Sequence, residues 1–173
     1  MDFYRIDETY YQLLAKQDKK LEYLKKSGYI RPFIGKVVKE NSISYYAPLS
    51  SPKKKHRYLK ENVDLLKIQR GKLGVINLNN MIPVPEGYQE RLILSSIKDE
   101  KYRRLLYFQK EWIKENSFMI QKKANCLYEL AKQNKLDKSL KKRCCEFQAL
   151  EEVAKWQTNM LYFQEEKEIY QCA

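Results

Sequence analysis

The sequence predicts an α+β protein with a small, curled antiparallel β-barrel-like core, an N-terminal helix and a long C-terminal helical pair. Between positions 33 and 97, short segments rich in β-branched and aromatic residues alternate with turn residues, as in small antiparallel sheets. Beyond Lys98 the apolar residues recur with helical spacing. The chain has 173 residues, 43% of them hydrophobic, which is enough to fill one core. We therefore expect a single domain over 1–173, with the core at 1–97 and a helical hairpin at 98–173.

The N-terminal region predicts a strand followed by a helix. Met1–Ile6 fits a short edge strand, and Asp7 is a residue type that caps helices. The helix after it would bury one apolar stripe, made of Tyr10, Leu13, Leu14, Leu21 and Leu24. Lys25–Gly28 predicts the end of that helix.

Several short strands are predicted next. The segments Phe33–Val38 and Ile43–Leu49 are separated by Glu40, Asn41 and Ser42, a pattern typical of a hairpin. A turn at Arg70–Lys72 and another at Asn79–Asn80 divide the remaining strand candidates, which are Asp64–Gln69, Gly74–Leu78, Met81–Val84 and Leu92–Ile97.

The last third of the chain predicts two long amphipathic helices. Leu106, Ile113, Ile120 and Leu127 lie seven residues apart and mark one helix. Asn134–Asp137 offers a break, after which a second stripe follows: Leu140, Cys144, Phe147, Ala154 and Leu161. An antiparallel pair accounts for both stripes, although the spacing of seven also fits a coiled-coil surface for a partner.

Positive charge is concentrated in one segment. The whole chain has 34 Lys and Arg against 22 Asp and Glu, a formal charge of +12. Residues 25–60 contain ten of these basic residues and a single acid, Glu40. This pattern favours a phosphate-rich, polyanionic partner, with a solvated basic surface as the alternative.

The cysteines and the apolar runs bear on the compartment. Cys126, Cys144, Cys145 and Cys172 have the spacing of neither a zinc site nor a redox pair, so we expect reduced packing residues. No apolar run reaches bilayer length, and the first residues lack the pattern of a signal peptide. The expectation is a cytoplasmic protein without a membrane partner.

The segment Leu49–His56 concentrates groups that suit a phosphate. Ser51 followed by Pro52 predicts the start of a short helix, with Ser51 as its cap. Free amides of that first turn, two hydroxyls and three ammonium groups would then converge on a small volume. The alternative is an ordinary helix cap whose lysines point into water.

Three segments together resemble the type III toxin family, whose members include the ToxN, AbiQ and CptN toxins. They are Arg31–Gly35, Tyr46–His56 and Gly74–Val84, which stand in the family's order and at comparable spacing. The resemblance covers about residues 1–97, and Ser50 stands where the family more often has Thr. The hydroxyl is kept at that position.

The resemblance implies a barrel-like core related to the Kid and MazF toxins and a sequence-selective endoribonuclease that cuts A-rich RNA. It also implies an RNA antitoxin. In this family the toxin cuts a repetitive precursor RNA into pseudoknots, which then bind it and block its active site in a closed ring-like assembly, expected to hold three toxins and three RNAs. Cellular or phage mRNA is the implied target, and phage defence by abortive infection the implied role.

Metal-independent RNA cleavage requires an activated 2′-hydroxyl, stabilised phosphoryl oxygens and a protonated leaving group, and it yields 2′,3′-cyclic phosphate and 5′-hydroxyl ends. We expect Lys53 to stabilise the charge on the phosphoryl oxygens, with proton transfer by Lys53 as the alternative, and we expect Ser50 and Ser51 to hydrogen-bond the phosphate or the 2′-oxygen. Tyr29 would orient a base or donate a proton. Which group is acid and which is base stays open.

The remaining predicted RNA contacts lie around the same segment: Arg31, Lys36, Lys54, Lys55, His56 and Arg57. His56, the only histidine, stands beside the motif as a general base would, but packing or antitoxin binding is favoured over a catalytic role. After Glu40 the next acids are Glu61 and Asp64, so the sequence predicts neither a metal site nor a cofactor.

Two other functions fit the same pattern. A non-catalytic RNA-binding or DNA-binding module would use the basic face only to hold phosphates, and it would share the salt dependence of a nuclease. An adaptor would instead dock its helical pair on a partner helix, with the sheet as a scaffold.

Overall fold

The computed structural model describes residues 1–24, 31–40 and 43–171 of the chain. Within them the protein is α+β, with seven strands and five α-helices. The strands are β1 (Phe3–Ile6), β2 (Phe33–Glu40), β3 (Ile43–Ser50), β4 (Leu65–Lys67), β5 (Val75–Asn77), β6 (Ile82–Val84) and β7 (Gln89–Arg91). The helices are α1 (Glu8–Gln17), α2 (Glu100–Glu115), α3 (Ser117–Lys132), α4 (Lys138–Arg143) and α5 (Phe147–Gln171).

The strands form one antiparallel sheet in the order β4-β5-β3-β2-β1-β7, with β6 also paired to β3. The predicted β2–β3 hairpin is confirmed, with a bulge between Ile34 and Val38. Strand β3 is central because β6 pairs with its first half and β5 with its last two residues, Leu49 and Ser50. Strand β3 therefore changes its pairing partner midway along its length, which lets the sheet curl. Strands β4 and β7 form the two ends of the sheet.

The edge position predicted for the first strand is wrong. Strand β1 pairs with β2 on one side and with β7 on the other. The segment predicted as a strand at Leu92–Ile97 is also different, because the strand ends at Arg91 and Leu94–Ser96 forms a 3₁₀ turn.

The N-terminal helix begins as predicted and ends early. The Asp7 carboxylate accepts the Tyr10 N–H at 2.9 Å, which confirms Asp7 as the cap. The helix stops at Gln17 rather than at Lys25–Gly28, because Asp18 takes an extended conformation. Residues Lys19–Leu24 then form a 3₁₀ helix.

Each of the two predicted long helices is divided. Asn116, with φ −105° and ψ 14°, separates α2 from α3. The extended Cys144 separates α4 from α5. Helix α3 packs against β2, while α5 packs against β6 and α1, so the helices cover the sheet rather than only each other. None of the described helices is both long enough and apolar enough to cross a bilayer.

A tyrosine-rich contact ties α5 to the central strand. The Tyr45 and Tyr128 hydroxyls both donate to the Glu151 carboxylate at 2.7 Å. Cys144 and Cys145 are buried, as expected of packing residues, and burial raises the pKa of the Cys144 thiol to about 12. Cys126 is exposed, so it is not a packing residue, and Cys172 lies outside the described residues.

Candidate active site

The candidate site lies where β3 leaves the sheet. Ser50 is its last residue, and a short 3₁₀ helix follows at Lys54–Arg57. The predicted cap at Ser51 is wrong: the residue before this helix is Lys53, which is extended and caps no amide with its side chain. The first turn closes with a hydrogen bond from the His56 N–H to the Lys53 carbonyl at 2.9 Å.

This segment presents hydroxyl and ammonium groups to solvent. Ser51 and Lys53 are exposed, and Ser50 is half-buried. The cations that follow, Lys54, Lys55 and Arg57, are exposed as well. A phosphate would therefore meet the exposed side chains of Ser51 and Lys53, just before the 3₁₀ helix begins.

A second loop supports the segment from behind. Gly71 and Gly74 both have left-handed φ angles, +85° and +102°. A Cβ atom on Gly74 would lie 2.0 Å from the Ser50 carbonyl oxygen, and one on Gly71 would lie 2.6 Å from the His56 carbonyl oxygen. Only a residue without a side chain allows this approach, so the two glycines set how closely the two segments pack.

The buried side of the same loop is held by a helix. The Gln109 amide of α2 donates to the Leu73 carbonyl at 2.6 Å, next to Gly74. Lys67 at the end of β4 donates to the Arg57 carbonyl at 3.0 Å. Helix α2 and strand β4 thus hold the segment 50–57 in place. No local sequence pattern predicts either contact.

His56 lies beneath the segment rather than on its surface. Its side chain is 3% exposed, and no hydrogen-bond partner for its Nδ1 atom lies among the described residues. Burial lowers the pKa of the imidazole, and the charges of Lys55 and Lys53 lower it further. The RNA contact and the catalytic role considered for His56 both stay predictions, and either would require the side chain to move outward.

The buried His56 predicts how stability changes with pH. Its folded pKa lies below the unfolded value of about 6.5, so the unfolded state binds more protons at mildly acidic pH. The contribution of the neutral His56 to the free energy of unfolding is therefore expected to be fully present above about pH 6.5. It should decrease as the pH drops towards 5.5. Urea unfolding at pH 7.5 and 5.5 measures this. His56→Gln, which removes the only imidazole, should flatten the slope, and an unchanged slope in that variant would contradict the assignment.

The other predicted site residues are distributed unevenly. The Leu49 N–H donates to the Pro32 carbonyl at 2.9 Å, which places the half-buried Arg31, two residues before β2, near Ser50. Burial lowers the pKa of the Arg31 guanidinium. Lys36 is exposed at the β2 bulge, further along the hairpin and away from Ser50. Tyr29 lies outside the described residues.

One further polar residue joins the site. The Asn77 side-chain nitrogen, at the end of β5, donates to the Ser50 hydroxyl oxygen at 3.0 Å and to the Pro48 carbonyl at 3.3 Å. Sequence reasoning did not single out Asn77, although it stands in the segment Gly74–Val84 that carries the resemblance. The pairing of β3 with β5, which brings it to Ser50, has no signal in local sequence.

The carboxylates that follow the basic segment are engaged in contacts. Glu61 accepts the Lys67 N–H at 3.0 Å, and Asp64 accepts from Arg143 at 2.9 Å. Across the described ranges, no three His, Cys, Asp or Glu side chains gather as a metal site would require. A groove beside Glu61 is lined instead by several cations and Trp112: the cations are Lys67, Arg70, Lys72 and Lys123.

Comparison with known proteins places this chain among toxins. Residues 2–155 match the family described as toxin ToxN of type III toxin–antitoxin systems. The chain is 35% identical over 160 residues to the endoribonuclease ToxN of Pectobacterium atrosepticum, covering 88% of this chain and 91% of that one. It is 31% identical to the endoribonuclease ToxN of Bacillus thuringiensis subsp. kurstaki, covering 87% and 80%. The endoribonuclease AbiQ of Lactococcus lactis subsp. lactis is 30% identical, with 86% and 85% covered.

Solved structures agree with these sequence matches. One solved structure, from work on a processed non-coding RNA that regulates a bacterial antiviral system, superimposes on this chain with a TM-score of 0.76. The two chains are 32% identical, and the match covers 90% of this chain and 98% of that one. Another concerns selective toxin inhibition by a non-coding RNA pseudoknot in type III systems, with a TM-score of 0.77 and 28% identity over 91% and 97%. The fold of AbiQ, a lactococcal anti-phage endoribonuclease, is also similar, with a TM-score of 0.79 over 91% and 98% at 24% identity. The chain belongs to the ToxN family of toxins from type III toxin–antitoxin systems.

Proposed function

We propose that this protein is an endoribonuclease toxin that cuts A-rich RNA without a metal ion. The observation that carries the proposal is the exposed segment just after β3, where Ser51 and Lys53 lie within the stretch that resembles the family. The relatives named as endoribonucleases support the activity. The A-rich specificity and the absence of a metal requirement come from the resemblance and from the chemistry of these side chains.

The proposed reaction is an intramolecular transesterification. The 2′-oxygen of the ribose forms a bond to phosphorus and loses its proton, while the bond from phosphorus to the 5′-oxygen breaks and that oxygen gains a proton. The products are a 2′,3′-cyclic phosphate and a 5′-hydroxyl. Lys53 stabilises the charge on the phosphoryl oxygens, and Ser50 and Ser51 donate hydrogen bonds to the phosphate or the 2′-oxygen. We assign Tyr29 to orienting a base or donating a proton.

RNA binding extends over the surrounding cations. The exposed side chains of Lys54, Lys55 and Arg57 follow soon after Lys53, and Arg31 lies just before the adjacent strand β2. We keep Lys36 and His56 among the proposed contacts, with Lys36 at a greater distance along the RNA. When such groups bind RNA phosphates, counterions are released. The affinity for RNA should therefore fall steeply as the salt concentration rises.

The inhibitor is proposed to be a small repetitive RNA that the toxin itself processes into pseudoknots. A related structure that concerns toxin inhibition by an RNA pseudoknot supports this. The assembly proposed is a closed ring of three toxins and three RNAs, acting in the cytoplasm, where host and phage transcripts are found. A short tandem-repeat sequence immediately upstream of the coding sequence is the genetic counterpart of this proposal, and its absence would count against it.

An assay on purified protein tests the activity. A labelled A-rich RNA is incubated with the protein and excess chelator, and the ends of the products are identified. Fragments with 2′,3′-cyclic phosphate and 5′-hydroxyl ends are expected, and a Lys53→Ala preparation controls for contaminating nucleases. If RNA is bound but stays intact with and without added metal, the protein is a non-catalytic RNA-binding module and the proposal is wrong.

A further inference from the structure

The Ser50 hydroxyl is part of a defined hydrogen-bond arrangement. The Asn77 amide nitrogen donates to its oxygen at 3.0 Å and to the Pro48 carbonyl at 3.3 Å. One side chain thus reaches both the hydroxyl and the backbone of the last residues of β3. Both Ser50 and Asn77 are half-buried, so solvent competes only partly for this contact.

The position of Asn77 follows from strand register. Leu49 pairs with Ile76 and Ser50 with Val75, so Asn77 stands across from Pro48. Proline has no N–H, so Pro48 takes part in hydrogen bonding only through its carbonyl, which accepts from the Asn77 side chain. The Asn77 backbone is held on its other side by pairing with Leu65 of β4. Asn77 is therefore placed by the sheet rather than by a loop.

The direction of the bond determines what the Ser50 hydroxyl can do. A hydroxyl group has one proton to donate and two lone pairs that accept. The Asn77 nitrogen can only donate, so Ser50 accepts there and keeps its own proton for another acceptor. In the proposed reaction, that acceptor is a phosphoryl or 2′-oxygen of the RNA.

We propose that Asn77 is a positioning residue that turns the Ser50 hydroxyl proton towards the scissile phosphate. The inference rests on the proposed function, since it presumes that Ser50 contacts the reacting group. Asn77 itself need not touch the RNA. Its effect on the rate should therefore pass entirely through Ser50.

Asn77→Asp reverses the bond while keeping the shape of the side chain. The carboxylate accepts instead of donating, so Ser50 would give its proton to Asp and lose it for the phosphate. We expect kcat to fall about 10- to 100-fold with KM changed by less than about threefold, as for the loss of one strong hydrogen bond made in the transition state.

Asn79→Asp is the matched control for charge. Asn79 lines the same groove as Asn77, but its amide donates to the Arg143 carbonyl at 3.2 Å and not to Ser50. The same amide-to-carboxylate change there should lower kcat by less than about threefold, since a half-solvated charge is screened. Equal losses in the two variants would show that charge alone is responsible and would overturn the inference.

A double-mutant cycle separates positioning from a merely structural role. In the Ser50→Ala background, Asn77→Asp should lower kcat no further, because the hydroxyl it orients is gone. If the two losses multiply instead, Asn77 acts independently of Ser50 and the inference is wrong. Urea unfolding of all four proteins shows whether each is folded at the assay temperature.

Binding of an RNA with a 2′-methoxy group at the cut site distinguishes failure of this inference from failure of the proposed function. If the wild-type protein cuts no RNA, the proposed nuclease is wrong, and the same cycle is then measured on affinity for this uncleavable RNA. In the protein that keeps Ser50, Asn77→Asp should weaken binding of this RNA by no more than about threefold, in line with the small change in KM, and in the Ser50→Ala protein it should have no effect. Equal effects in both backgrounds would overturn the role of Asn77 whether or not RNA is cut.

Discussion

Lys53→Ala is expected to lower kcat for RNA cleavage by about 10²- to 10³-fold, the usual effect of removing one group that stabilises transition-state charge. Lys53 lies after the end of β3, in extended conformation and with an exposed side chain, so removal of that side chain should leave the fold intact. Single-turnover cleavage of a labelled A-rich RNA measures it. Because the charge develops in the transition state, the loss should be in kcat rather than in KM.

Two variants make the Lys53 result specific. Lys54→Ala removes the same charge one residue away and should raise KM several-fold while leaving kcat within about threefold, as for a phosphate contact that is equal in ground and transition states. Lys53→Arg keeps the charge but changes its geometry, and it should recover part of the loss. If Lys53→Ala and Lys54→Ala prove kinetically alike, Lys53 only binds RNA and its catalytic assignment fails.

The parts of the fold that local patterns predicted are those that local interactions determine. The β2–β3 hairpin and the cap at Asp7 both depend on residues that are near in sequence. The position of β1 was mispredicted because β7, its second neighbour, lies far along the chain. The sequence pattern did not predict the break at Asn116, because the apolar spacing continues across it from Ile113 to Ile120.

The candidate site shows the same division. Its exposed hydroxyl and ammonium groups follow one another in sequence, so composition and resemblance were enough to single out Ser51 and Lys53. The conformation of the segment was mispredicted, because Gly74 packs against the backbone of Ser50 and Ser51 from a loop distant in sequence. Asn77 was missed for the same reason: its bond to Ser50 exists only once β5 has paired with β3.

Gly74→Ala is expected to destabilise the protein by more than about 3 kcal/mol and to abolish measurable cleavage at temperatures where the fold survives. The added Cβ would lie 2.0 Å from the Ser50 carbonyl oxygen, which is backbone and cannot rotate away. The left-handed φ of +102° adds strain for any residue with a side chain. Overpacking and backbone strain together commonly reach this size. Urea unfolding measures the stability, and cleavage of labelled RNA measures the activity.

Gly87→Ala separates the overlap from the backbone strain. Gly87 has a similar φ of +95°, yet a Cβ there would meet nothing within 4 Å. This variant should therefore lose only about 1–2 kcal/mol and keep its nuclease rate, since it carries the conformational cost alone. The difference between the two variants is the cost of moving the last residue of β3 away from the loop behind it. Suppose instead that Gly74→Ala is no less stable than Gly87→Ala and cuts RNA at the same rate. The backbone at Ser50 would then tolerate displacement, and the loop at Gly74 would not determine the geometry of the site.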